Sequence, residues 1–254
     1  MKTIKLFFLS SLMLGFTACS NDDDGDVVAE ACTEVEFFAD ADNDGLGDAN
    51  TIVMACEAPD GFVANADDND DTQPIADLVV GLVADLHAPQ TGGGGTPPGG
   101  PFTKFDLDTM TQTDSETDWD IALRGTTILV NGGVSQGTAD EPDRTGNAAA
   151  YIATGTMDSV VDIDTAAFVQ DAADILAIPT GSDNGWYNYN PATFTITPLA
   201  GKILVFRTTE GQYAKIEILS YYEGAPANPD PMTDASRYYT FNLVYQPNNG
   251  IDNF

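Results

Sequence analysis

The chain has 254 residues, with 40 acidic side chains against nine Lys and Arg and a formal net charge of −31. A field of that sign excludes nucleic acid and anionic membrane surfaces as partners, because both require clustered basic residues. The length leaves room, after an export segment, for one small module and one β-domain with its own core.

At the amino terminus Lys2 and Lys5 precede an apolar run, Leu6 to Leu14, that is too short for a membrane anchor but suits a secretory signal. Gly15-Phe-Thr-Ala18 leads directly into Cys19, and small residues before a cysteine look like a lipobox. Residues 1–18 are then a lipoprotein signal peptide and Cys19 carries lipid, palmitate included. Phe16 departs from the usual leucine, and a plain signal peptide followed by a chance cysteine is the alternative. Ser20-Asn-Asp-Asp-Asp24 resembles the acidic sorting signal that sends lipoproteins to the cell surface in some Gram-negative bacteria. The expected location is the outer membrane, facing the exterior, with residues 19–36 as an acidic tether and the membrane contacted through the lipid alone. Once Cys19 is lipidated, Cys32 and Cys56 form an even pair in an oxidising compartment, for which a disulfide is the default.

Residues 37–74 read as an aspartate-rich module. Asp40, Asp42 and Asp44 stand at every second position, followed by Gly45, Gly47 and Asp48. This is the spacing by which a tight loop wraps oxygen ligands around one Ca²⁺. The twelfth loop position holds Thr51, where an EF-hand needs glutamate, so this is not an EF-hand. A second cluster, Asp67-Asp68-Asn69-Asp70-Asp71, follows the Cys56–Asn65 stretch, and the whole resembles thrombospondin type 3 repeats. Those commonly place a cysteine within the second cluster, which this chain lacks. A merely solvated acidic face is the competing reading. Against it stand the periodicity, the interleaved glycines, the bracketing cysteines, and the absence of any Lys or Arg between Lys5 and Lys104. The expected ligands are Asp40, Asp42, Asp44, Asp48, Asp68 and Asp70, holding Ca²⁺ rather than Mg²⁺ because a flexible multi-carboxylate loop suits the larger ion.

The boundary falls near Asp71-Thr-Gln-Pro74, and residues 75–254 form the main domain. Gly92 to Gly100 has the composition of a linker and is expected to be a flexible loop between two strands. Trp119, Ile121 and Leu123 alternate with Asp120, Ala122 and Arg124, which predicts a strand with one apolar face. Thr126 to Val130 is β-branched and aliphatic, and Asn131-Gly132-Gly133 supplies a reversal. Thr165 to Leu176, ended by Pro179, is a helical candidate with only partly helical apolar spacing. The bland reading of all this is an ordinary β-core.

The same segments resemble the HmuY family of haem-binding surface lipoproteins. Leu82 to Thr91 and Phe102 to Leu107 look like its opening strands. Gly201 to Arg207, Gly211 to Ile218 and Arg237 to Tyr245 look like its closing strands, so the resemblance runs from about Ile75 onward. It implies an all-β fold, an antiparallel β-sandwich-like domain with one ligand groove. It also implies capture of haem or a related tetrapyrrole for iron acquisition, with hand-off to an outer-membrane TonB-dependent receptor.

In the family's founding pattern a haem-ligating histidine follows Ala-Leu in the Trp119 strand; Arg124 stands there, and a guanidinium has no lone pair for iron. The single histidine is His87, so bis-histidine ligation within one chain is impossible. Related lipoproteins use methionine instead, which points to Met157 and Met110, although an isolated methionine is usually core filler. Tyr187 and Tyr189 could stack on or ligate a porphyrin, or simply pack a core. Arg124 itself could pair with a haem propionate or with one of the many aspartates. If the groove has lost its iron ligands, the alternative is a cell-surface protein- or glycan-interaction domain. No enzyme is expected: one histidine and no free thiol leave no nucleophilic constellation.

Overall fold

The computed structural model describes residues 32–254 except Asn69, Asp70, Gln73 and Gly94. The expected signal peptide, Cys19, most of the tether and Asp70 lie outside the described residues.

Among the described residues every pairing between two named strands is antiparallel. The first three strands, β1 (Val35–Ala39), β2 (Asp48–Ala55) and β3 (Phe62–Val63), form a small sheet in the order β2-β1-β3. Cys32 and Cys56 are disulfide-bonded at the base of the β1–β2 pair, their Cα atoms 5.8 Å apart. Within this module β2 carries Ile52 and Met54 exposed, and among its described residues Phe37 is the one buried large apolar side chain. So small a core cannot hold the segment, and the crosslink shortens the loop that must be ordered.

The chain then runs through β4 (Val79–His87), β5 (Thr91–Gly93), β6 (Thr96–Gly99), β7 (Thr103–Asp106), β8 (Thr111–Gln112), β9 (Ile121–Arg124) and β10 (Thr127–Val130). It continues with β11 (Ala149–Thr154), β12 (Tyr187–Asn190), β13 (Thr195–Pro198), β14 (Lys202–Arg207), β15 (Tyr213–Tyr222) and β16 (Ser236–Gln246). Five of these strands make one sheet, β11-β14-β15-β16-β4, and four make a second, β10-β9-β7-β8. Phe105, Ile121, Leu123, Ile128 and Val130 from the second sheet share one core with Leu204, Phe206, Ile216, Phe241 and Leu243 from the first. That shared interior makes the domain an all-β sandwich.

Strand alternation sends Ile203 and Val205 to the far face of β14, where Val160, Tyr151, Met157, Phe168 and Phe254 cover them. The five-stranded sheet is thus buried on both sides along this strand. The same holds for β9. Its Ile121 and Leu123 enter the main core, whereas Ala122 joins Trp119, Leu129 and Leu176 in a separate cluster on the outer face, against Phe102. Trp119 was expected on the face of Ile121; because the strand begins only at Ile121, the preceding chain is free to turn the indole outward.

Two further expectations are corrected. Gly92 to Gly100 is a short hairpin, β5 against β6, in which Gly92 and Gly93 take positive φ. Thr165 to Leu176 is not a helix: Val169 bridges Ala150 and Asp171 bridges Gly133. Asp171 is 2% exposed, and its carboxylate accepts from the amides of Val130 (3.1 Å) and Ala177 (2.9 Å). These long-range ties outweigh a weak helical preference, since leaving those buried amides unpaired would cost about 1–3 kcal/mol each.

Candidate functional site

The aspartate loop is built by short-range hydrogen bonds. Asp44 N–H donates to Asp42 at 3.2 Å, Leu46 N–H to Asp44 at 2.8 Å and Gly45 N–H to Asp40 at 3.3 Å, with Asn43 and Gly45 at positive φ. Asn and Gly tolerate that left-handed backbone, so the loop can curl tightly enough to turn its carboxylates inward. Gly47 is needed for a different reason: a Cβ there would lie 2.5 Å from Phe38 Cβ and 2.6 Å from the Asn65 carbonyl.

Carboxylate oxygens of Asp40, Asp42 and Asp71 lie within 4.8 Å of one another, as do those of Asp42, Asp44 and Asp68, so Asp42 belongs to both groups. Asp40 Oδ1 and Asp42 Oδ2 are buried and accept no hydrogen bond. Burial pushes the Asp42 carboxyl above its ordinary value, and the charges of Asp44, Asp68 and Asp71 add to that against an opposing amide bond from Asp44. Converging carboxylates that include two buried oxygens with no donor, Asp40 Oδ1 and Asp42 Oδ2, are the chemistry of a hard-cation site, and oxygen ligands at flexible spacing fit Ca²⁺.

Asp48 is turned away from this cluster. Its carboxylate accepts from Asn50 N–H and Nδ2 and from Thr51 Oγ1, each at 2.8 Å, which holds it below the usual carboxylate range. Asp71 takes the place that the alternating pattern gave to Asp48. Asn65 was also missed: it donates to the Gly45 carbonyl at 2.9 Å and accepts from Gly47 N–H at 3.2 Å, clipping the two halves of the module together. The second acidic cluster marked the segment but not which of its residues would reach the loop, because they return to it across some 20 to 30 residues of chain.

In the β-domain, Arg124 is 4% exposed. Its guanidinium donates to the carbonyls of Gly100 (3.1 Å) and Ala139 and to Thr138 Oγ1 (3.2 Å), and it stacks over Phe102 at 4.0 Å. Burial lowers its proton affinity, opposed by Asp140 and Glu141. Tyr187 is buried in the main core beside Trp186, and Thr126 Oγ1 donates to its hydroxyl at 3.4 Å. Tyr189, two residues along β12, is exposed. Met157 packs on the far side of the five-stranded sheet with Ile203 and Val205. Met157 and Tyr187 are therefore separated by that sheet. Met110 packs at the edge of the main core, and His87 is exposed and stacked on Tyr238 at 4.4 Å.

The family model for the HmuY protein matches residues 101–242. This chain belongs to the HmuY family. No curated protein matches it. Among solved structures, the apo HmuY analogue of Tannerella forsythia is 13% identical, with a TM-score of 0.45 over 69% of this chain and 100% of the other. A provisionally named lipoprotein from Bacteroides fragilis NCTC 9343 is 16% identical, with a TM-score of 0.37 over 68% and 96%. A provisionally named HmuY-like haem-binding protein from Bacteroides vulgatus ATCC 8482 is 14% identical, with a TM-score of 0.39 over 68% and 97%.

Within the HmuY-family domain the few cations are used in an unexpected way. Arg144 makes a buried ion trio with Glu141 (2.7 Å) and Asp171 (3.0 Å), all three side chains at most 2% exposed. Lys215, 5% exposed, instead donates to the carbonyls of Met157 and Val160, each at 2.7 Å, and lies 4.6 Å from the Phe254 ring. Arg207 donates to the Asn147 carbonyl at 2.9 Å. Despite 40 acidic residues, most described cations hold irregular chain segments by their carbonyls.

Proposed function

We propose that this HmuY-family chain is a lipid-anchored surface protein that captures haem or a related tetrapyrrole for an outer-membrane TonB-dependent receptor. The aspartate-rich module is its structural Ca²⁺ site. Membership of the family over residues 101–242 is the observation that carries the ligand class. The buried, donor-free oxygens of Asp40 and Asp42, within the Asp40, Asp42, Asp44, Asp68 and Asp71 group, support the cation. The role is binding, not catalysis.

With Arg124 in place of a histidine, bound haem would lack a bis-histidine spectrum, and Met157, Tyr187 or Tyr189 would have to contribute singly. A haemin titration followed at the Soret band tests this, with Arg124→His as the partner variant. Saturable binding in the native chain, tightened and sharpened by Arg124→His, is the expected result. No saturable change in either protein would replace haem capture by the second reading, a protein- or glycan-interaction domain. What favours that second reading is specific: the Arg124 donors are already engaged, and Met157 and Tyr187 face opposite sides of one sheet.

A further inference from the structure

Where β15 ends and β16 begins, a cavity of about 250 Å³ opens between the two strands, the β9–β10 turn and the β12–β13 hairpin. Phe194, Ile196, Tyr221, Tyr222 and Pro231 supply its apolar lining, and Gln90, Thr126, Ser236 and Arg237 an at least equal polar share. Tyr221 also packs edge-on against Tyr239 and beside Trp186, so this wall is fixed by the core behind it.

Arg237 is the unusual member. Its backbone sits at φ 72°, a left-handed conformation that bulky side chains rarely adopt and that clusters at functional positions. Its guanidinium donates to the Gln90 carbonyl at 2.7 Å, and its charge bears on the Tyr221 phenol, whose proton affinity burial raises and Arg237 draws back. Among the described residues no carboxylate pairs with Arg237, in a chain that carries 40 of them. A guanidinium has five donors; the Gln90 carbonyl takes one and the Tyr221 hydroxyl another, and the others remain for a ligand. A cation at a strained backbone position, with no carboxylate partner and with aromatic side chains beside it, is suited to a carboxylate carried on a flat ring.

We propose that this cavity binds the carboxylate-bearing edge of a flat apolar molecule, with the ring against Phe194, Ile196 and Tyr222 and the carboxylate on Arg237. The volume is below the roughly 300–1,000 Å³ of a site that encloses a whole drug-sized ligand. It therefore takes either a small aromatic acid or only the propionate edge of a tetrapyrrole, the remainder lying outside. For the larger ligand the inference rests on the family reading above; for the small acid it does not.

Fluorescence titrations of the purified full chain with 2-naphthoate, with metal-free protoporphyrin IX and with protoporphyrin dimethyl ester test it without iron. Saturable binding of at least one acid is expected, weakened about tenfold or more by Arg237→Gln. The ester should bind more weakly than its acid and be indifferent to that substitution. Phe194→Ala removes an exposed part of the wall, 63% accessible, so it should weaken binding without lowering the melting temperature. Binding of naphthoate alone would identify a small aromatic acid, and binding of protoporphyrin alone a tetrapyrrole edge. The proposal is overturned if neither acid binds, if the ester matches its acid, or if both variants bind as the native chain does. Haemin binding that survives Arg237→Gln unchanged would overturn the tetrapyrrole-edge version while leaving the family reading intact.

Discussion

Asp44 Oδ2 accepts the backbone amide of Ile75 at 3.2 Å, so a carboxylate of the acidic loop holds the first residue of the β-domain. The next residue, Ala76, exchanges two hydrogen bonds of 2.8 Å with the Asn248 side chain. The loop, the linker and the carboxyl-terminal segment form one chain of contacts. The apolar clusters among the described residues draw only on Val83 and beyond, so the acidic module takes no part in them.

Calcium should therefore stabilise the module and its linker without altering the β-domain core. At a hundredfold excess over its dissociation constant, Ca²⁺ would stabilise the module by about 2.7 kcal/mol. Asp42→Asn with Asp44→Asn keeps the side-chain shape and an acceptor for Ile75 while removing two charges. Calorimetry should show a calcium isotherm in the native chain and none in the double variant. Proteolysis around residues 72–78 should slow with Ca²⁺ in the native chain only. Absence of calcium heat from the native chain would end the metal reading.

Asp120 makes the β-domain sensitive to pH. Burial raises its carboxyl to about 6, the Glu210 charge adds to this, and bonds from Leu107 N–H and from Thr209 oppose it. A folded-state value above the ordinary one means that the folded form holds the proton more tightly, so the contribution is complete below about pH 4 and is lost as pH rises through 6. Asp108, raised to about 7 chiefly by a hydrogen bond shared with Asp106, adds a second step of the same sign. Thermal melts from pH 4 to 8 should show stability falling across this window. Asp108→Asn should remove the upper part of that fall.

Arg144 pairs with two buried carboxylates at once. Arg144→Ala would leave Glu141 and Asp171 uncompensated and should lower stability by about 3–5 kcal/mol in denaturant unfolding. Asp171 also accepts from Val130 and Ala177, so the loss should spread to β10 and be visible as faster amide exchange at Val130. A cost under about 1 kcal/mol would mean that the trio is no more than a surface-grade pair.

Arg124→His has a structural consequence apart from haem. Imidazole cannot reach Gly100, Ala139 and Thr138 together, so the segment around residues 138–141 loses its clamp. A melting temperature lowered by several degrees is expected, corresponding to about 1–3 kcal/mol.

The tether prediction concerns residues outside those described. Cys19→Ala should abolish labelling with palmitate and move the protein from the membrane to the soluble fraction. Unchanged fractionation would remove the lipobox reading.

The all-β class, the strands around Trp119–Val130 and the cysteine pair were legible in the sequence, because period-two alternation, turn glycines and cysteine counting are local signals. So was the acidic loop, whose spacing repeats every second residue. Which carboxylates converge was not legible: Asp71 replaces Asp48 only because Asp71 and Asn65 return from a distant segment, and Asp48 finds nearer donors in Asn50 and Thr51. The segment from Thr165 to Leu176 shows the same limit, its weak helical spacing overridden by the amides that Asp171 must satisfy. The sequence alone established that Arg124 cannot ligate iron, since that is a property of the guanidinium itself. Its engagement with three partners, the sheet that separates Met157 from Tyr187, and the placing of Arg237 in an aromatic wall were decided by tertiary packing. Such neighbours lie tens to more than a hundred residues apart and are joined only when the two sheets close.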